Sequence, residues 1–142
     1  MQNINFETGL RSYSLNNDES KVIYFNPTDL DIATRFDKAI SDIENYKAKE
    51  IDTKSDDVVK QASDAVSDFD EFIKKQIDYV LGNKVSDVVF NGVSPMSPVK
   101  GKPLYERFLD AVSEIITAEI GKENKAIAKR VSKYTDAVKG LK

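Results

Sequence analysis

The chain has 142 residues, of which 40% are hydrophobic and 32% charged, with 21 Lys and Arg against 24 Asp and Glu for a formal net charge of −3. That length suits one domain, or one domain with a helical extension, and is enough to bury a substantial core. The absence of Cys, His and Trp excludes a disulfide scaffold, a zinc site built on Cys or His, a thiolate nucleophile and every His-based catalytic arrangement.

The opening Met1-Gln2-Asn3-Ile4-Asn5-Phe6-Glu7 has neither the basic region nor the apolar region of a secretory leader. No apolar run approaches the roughly 20 residues that a membrane span needs, so a soluble cytoplasmic protein is the expectation. Residues 4–25 read as extended. A polar turn at Asn16-Asn17-Asp18-Glu19-Ser20 separates the alternating stretch around Leu10 to Leu15 from Val22-Ile23-Tyr24-Phe25, which predicts a β-hairpin. A lone hairpin is marginal in water, so it must pack on helices or on another chain.

Asn26-Pro27-Thr28-Asp29 marks a boundary, because Pro27 holds Asn26 extended. Thr28 is the expected cap of a first helix whose apolar positions are Ala33, Phe36, Ile40 and Ile43. Ser55 is the expected cap of a second helix. Its stripe runs Val59, Ala62, Val66, Phe69, Ile73, Ile77 and Val80, and Gly82-Asn83 is its stop. Long helices joined by a short polar link predict antiparallel packing.

A short helix is expected over 84–90, then an irregular loop over 91–103 that holds Gly92, Pro95, Pro98, Gly101 and Pro103. A third long helix covers 104–120, with Leu104, Phe108, Val112 and Ile115 in one row and Tyr105, Leu109, Ile116 and Ile120 in the next. Gly121 is read as its interruption. The final segment keeps a narrow seam of Ile127, Val131, Tyr134 and Val138 in a basic background of Lys122, Lys125, Lys129, Arg130, Lys133, Lys139 and Lys142. The fold expected is therefore mainly α: an antiparallel helical bundle with an N-terminal β-hairpin and a C-terminal extension helix. Residues 1–121 form the hairpin and helical core, and 122–142 a basic, partner-binding helix.

Catalytic signals are weak throughout. Gly101-Lys102-Pro103 lacks the spacing and the Ser/Thr of a phosphate-binding loop. Asp64 and Asp68 share a helix face near Asp70 and Glu71, but without a calcium-binding loop they read as the solvated face of an amphipathic helix. The basic tail has no interleaved aromatic platform for nucleic acid. A non-enzymatic protein with no cofactor and no metal is the expectation.

One group of proteins shares the order of several short motifs. Ile4-Asn5-Phe6-Glu7-Thr8-Gly9 leads to Tyr13-Ser14-Leu15-Asn16, then Val22-Ile23-Tyr24-Phe25-Asn26-Pro27-Thr28-Asp29 and a helix. Ile77-Asp78-Tyr79-Val80-Leu81-Gly82 precedes Val88-Val89-Phe90-Asn91-Gly92, then Tyr105-Glu106-Arg107-Phe108-Leu109, then Lys133-Tyr134-Thr135. This order resembles small proteins encoded in the tail-gene clusters of phages and prophages of Gram-positive bacteria. More loosely, it resembles the tail assembly chaperones of long-tailed phages. The resemblance implies a chaperone or adaptor that binds the tape-measure protein and the tail-tube protein in the host bacterial cytoplasm and associates with itself. It directs attention to Phe90, Val93, Met96 and Val99 in the loop region and to Ile127, Val131 and Tyr134 in the tail as partner-binding residues, the alternative for the loop residues being packing against the core. A structural tail or neck component, and a phage-encoded regulator that binds a host protein, are the other readings.

Overall fold

The computed structural model describes residues 1–139, with side chains described through Arg130 and at Ser132. The chain is mainly helical, with a small hairpin near its start and a long helix at its end. Strands β1 (Arg11–Leu15) and β2 (Asp18–Phe25) pair antiparallel, with Tyr13 opposite Ile23 and Ser14 opposite Val22. The connection is only Asn16-Asn17, both at positive φ (52° and 62°), the geometry of a tight hairpin turn that asparagine tolerates. The turn is thus shorter than the five polar residues expected. Asp18, Glu19 and Ser20 belong to β2, and a register shift between Ser14 and Leu15 absorbs the mismatch.

Helix α1 (Asp31–Glu44) begins two residues later than a cap at Thr28 predicts. Thr28 instead closes a turn on Asn26, donating its N–H and hydroxyl to Asn26 Oδ1 at 3.0 Å each. Asp29 does the capping work, accepting the Asp31 N–H at 3.0 Å. The buried face differs from the one expected: Ile32 and Ala39 are core, while Ala33 is exposed. Helix α2 (Val58–Leu81) likewise starts after Ser55 and ends as expected on Gly82 in the left-handed conformation. Its stripe is covered only in its second half. Ile73, Ile77, Val80 and Leu81 are buried, but Val59 and Val66 are 79% and 55% exposed. Between the halves, Tyr46 packs against both Phe69 and Phe72, at 4.6 and 4.7 Å between ring centroids, and the two Phe rings lie 6.3 Å apart.

Helix α3 (Ser86–Phe90) hangs from α2 through one side chain. Asp78 Oδ1 accepts the N–H groups of Val85 and Ser86 at 2.8 Å each, and Oδ2 accepts the Ser86 hydroxyl at 3.0 Å. Two side chains tie the same region to its neighbours. Arg35 donates Nε to the Val80 carbonyl at 3.1 Å and Nη2 to Asp29 at 2.9 Å. Asn83 donates to the Tyr24 carbonyl at 3.1 Å.

The loop over 91–103 folds back as two-residue strands β3 (Pro98–Val99) and β4 (Lys102–Pro103). Helix α4 then runs unbroken from Leu104 to Lys139. Gly121 does not interrupt it: glycine in a helix interior costs only about 1 kcal/mol, which neighbouring hydrogen bonds overcome. Tyr105, Leu109 and Val112 complete the core with Ile23, Phe25, Ile32, Ile77 and Phe90. Beyond Gly121 the helix leaves that core, and every residue over 122–130 is exposed.

Candidate partner-binding cleft

The hairpin is too small to cover itself, and its inner face lies over α4. Strand alternation points Tyr13, Leu15, Ile23 and Phe25 to one side, where they meet the row Leu104, Phe108 and Ile115. The two surfaces do not close completely. They leave an open cleft of about 380 Å³, with an apolar floor and with Ser14, Asn16 and Ala111 at its exposed edges. Its size falls within the range of sites that hold a small ligand or a few side chains.

The polar side chains that line the cleft are few: Ser14, Asn16 and Arg107. Arg107 donates to the carbonyls of Val99 and Lys100, which fastens the β3–β4 turn beside the cleft. Beyond the residues that line the cleft, Glu119 accepts from Arg11 at 2.8 Å and from Lys122 at 3.2 Å. The hydrogen bond from Lys122 holds the Glu119 carboxyl below its ordinary range against desolvation, with the Arg11 and Lys122 charges adding to it. Tyr13 stacks on Phe25 with 4.8 Å between ring centroids. Burial raises its pKa, and the Arg11 charge offsets part of that rise. Its hydroxyl oxygen is buried without a hydrogen-bond partner of good geometry among the described residues, an uncommon condition for a buried polar atom.

The residues singled out from sequence fall elsewhere. Phe90 is only 2% exposed and belongs to the core, so it offers no surface to a partner; its burial follows from α3 being folded onto α2 and β2. Met96 is half-buried and packs on the core. Val93 and Val99 are exposed, at 48% and 42%. Ile127 is exposed on α4, whereas the side chains of Val131 and Tyr134 lie outside the described residues. The acidic cluster is dispersed: Asp68 lies 3.9 Å from Lys49, and Asp70 accepts the Ser94 hydroxyl at 2.7 Å. Among the described residues no group of three Asp, Glu, His or Cys is arranged to hold a metal ion.

Sequence reasoning placed Leu104, Phe108 and Ile115 in one helical row but singled out no cleft, because period and apolarity mark a stripe without showing its cover.

Fold and cleft together define a mainly helical protein with an apolar cleft at a hairpin–helix junction. No protein-family model matches the chain, and comparisons with curated proteins and with solved structures gave no match. No helix among the described residues is long and apolar enough to cross a membrane.

Proposed function

We propose that the protein is a phage tail assembly chaperone or adaptor that shields apolar helical segments of the tape-measure protein and recruits tail-tube subunits. The observation that supports this most is the open apolar cleft between the hairpin and α4, whose one charged lining residue is Arg107. Such a cleft suits the apolar face of an amphipathic helix with acidic flanks. In this reading α1, α2 and α4 form an antiparallel bundle that carries the hairpin. The protein acts by binding, without catalysis, cofactor or metal, in the host bacterial cytoplasm.

The test is co-expression with the tape-measure protein of a long-tailed phage of a Gram-positive host. The wild-type chain should raise the soluble fraction of that protein, and Ala111→Arg, which places a bulky cation at the cleft edge, should abolish the gain. Equal solubility with and without the chain refutes the proposal. A second reading, a structural tail or neck component, draws on the two-stranded sheet of β1 and β2, whose β1 edge pairs with no strand among the described residues. Mass spectrometry of purified virions separates the two: a stoichiometric presence favours the component, and absence the chaperone.

A further inference from the structure

A second groove lies between α1 and α4, on a face of α4 that does not meet the hairpin. It holds cavities of about 300 and 230 Å³ that share Phe36 and Ile40 as lining. Ile43, Leu109 and Ile116 extend this apolar floor. The charged side chains of the lining are all acidic: Asp37 and Glu44 from α1, Glu106 and Asp110 from α4. Among the described residues, only Asp110 of these four has an ion pair, with Lys102 at 3.1 Å. Their field reaches the groove wall. Burial raises the Tyr105 hydroxyl pKa, and the charges of Glu106 and Glu44 raise it further.

The complement of this groove stands on the same chain. Over residues 122–130 four cations, Lys122, Lys125, Lys129 and Arg130, face one carboxylate, Glu123, and every residue is exposed. Lys122, Lys125 and Lys129 fall at i, i+3 and i+7, which places them on one side of α4 with Ala126 between them. The stripe covers about 10 Å of helix axis, the same span that separates Asp37 from Glu44 on α1. Lysine stems lie well on an apolar floor while their ammonium groups reach carboxylates at the rim. Yet the stripe cannot enter its own groove. Helix α4 is unbroken, so Lys122 is held about 14 Å further along the axis than Ser113 and on the opposite side of the helix.

We infer that the lysine stripe of one copy docks in the acidic α1–α4 groove of the next. Groove and stripe lie on opposite sides of one straight helix, so two copies cannot satisfy both contacts reciprocally. The association therefore runs head to tail and grows past a pair. The groove shares no lining residue with the hairpin–α4 cleft, so this association stands or falls apart from the client reading.

Light scattering after size exclusion, on the full chain at low salt, should give a mass that rises with loading concentration beyond that of two chains. In about 1 M NaCl, where the Debye length is about 3 Å, the mass should fall to that of one chain. Lys125→Glu/Lys129→Glu and Asp37→Lys/Glu44→Lys change only exposed positions. Each variant should run as a single chain with an unchanged circular dichroism spectrum. An equimolar mixture of the two should recover the wild-type mass, because each supplies the charge that the other has lost. A wild-type chain that stays single at low salt, a mass that stops at two chains, or association that survives 1 M salt or either variant overturns the inference. So does a mixture that remains single.

Discussion

Replacing Asp78 with Ala removes the acceptor for three donors at once. The N–H groups of Val85 and Ser86 and the Ser86 hydroxyl all end on this carboxylate, at 2.8, 2.8 and 3.0 Å. Val85 and Ser86 are 1% and 5% exposed, so water replaces the lost acceptor poorly. A hydrogen bond to a charged group contributes about 1.5–3 kcal/mol, and a buried donor left unpaired costs a comparable amount. With Asp78 itself only partly buried, the expected loss is about 3–4 kcal/mol, a large share of the 5–15 kcal/mol typical of a domain. Asp78→Asn keeps an oxygen at the Oδ1 position for both amides and should lose only about 1–2 kcal/mol. Urea denaturation followed by circular dichroism at 222 nm measures both. With a slope of about 1.5 kcal/mol/M, the Ala variant should shift the midpoint down by about 2 M. A shift under about 0.5 M for Ala, or equal shifts for Ala and Asn, refutes the view that this carboxylate pins α3 to α2.

Other expectations are as direct. Asp29 has its pKa lowered from 3.8, chiefly by the hydrogen bond from Arg35, so its contribution is complete above that value and is lost as pH falls through the lower folded one; Asp29→Asn should flatten the acid limb of the stability profile while lowering stability at neutral pH. Gly82→Ala, at φ +69°, should cost about 1 kcal/mol of thermal stability, whereas Gly121→Ala, where an added Cβ meets nothing within 4 Å, should gain about 0.5–1 kcal/mol of helix stability. Ile77→Ala, at a position 0% exposed, should destabilise by about 2–5 kcal/mol in urea.

Much of the architecture was legible because local chemistry and global packing agree. The run Val22-Ile23-Tyr24-Phe25 and the paired asparagines encode a strand and its turn, and Gly82 encodes the end of α2. What failed did so for identifiable reasons. Thr28 and Ser55 are good caps by type, but side-chain bonds within each preceding turn, Thr28 to Asn26 and Ser55 to Asp57, occupy their hydroxyls. The α2 stripe is continuous in sequence, but α1 covers only part of its length, so Val59 and Val66 face outward. Phe90 and Val93 read alike as loop hydrophobics. Only the hook of α3 onto Asp78 buries the first and leaves the second in solvent. The cleft was beyond reach because a gap between two elements is a property of their relative placement, not of either sequence segment.

The unbroken α4 has a consequence for the outer part of that helix. An isolated helix must first form a turn at a statistical weight near 10⁻³, and short segments in water rarely do. Here the turns up to residue 120 are held by the core, so the stretch over 122–130 needs no nucleation of its own. Each residue adds by propagation, with a weight near 1–1.6 for good formers. Gly121 stands at the junction with a lower weight. It therefore works as a rheostat, setting how much coil the outer turns admit as temperature rises while the core remains unchanged.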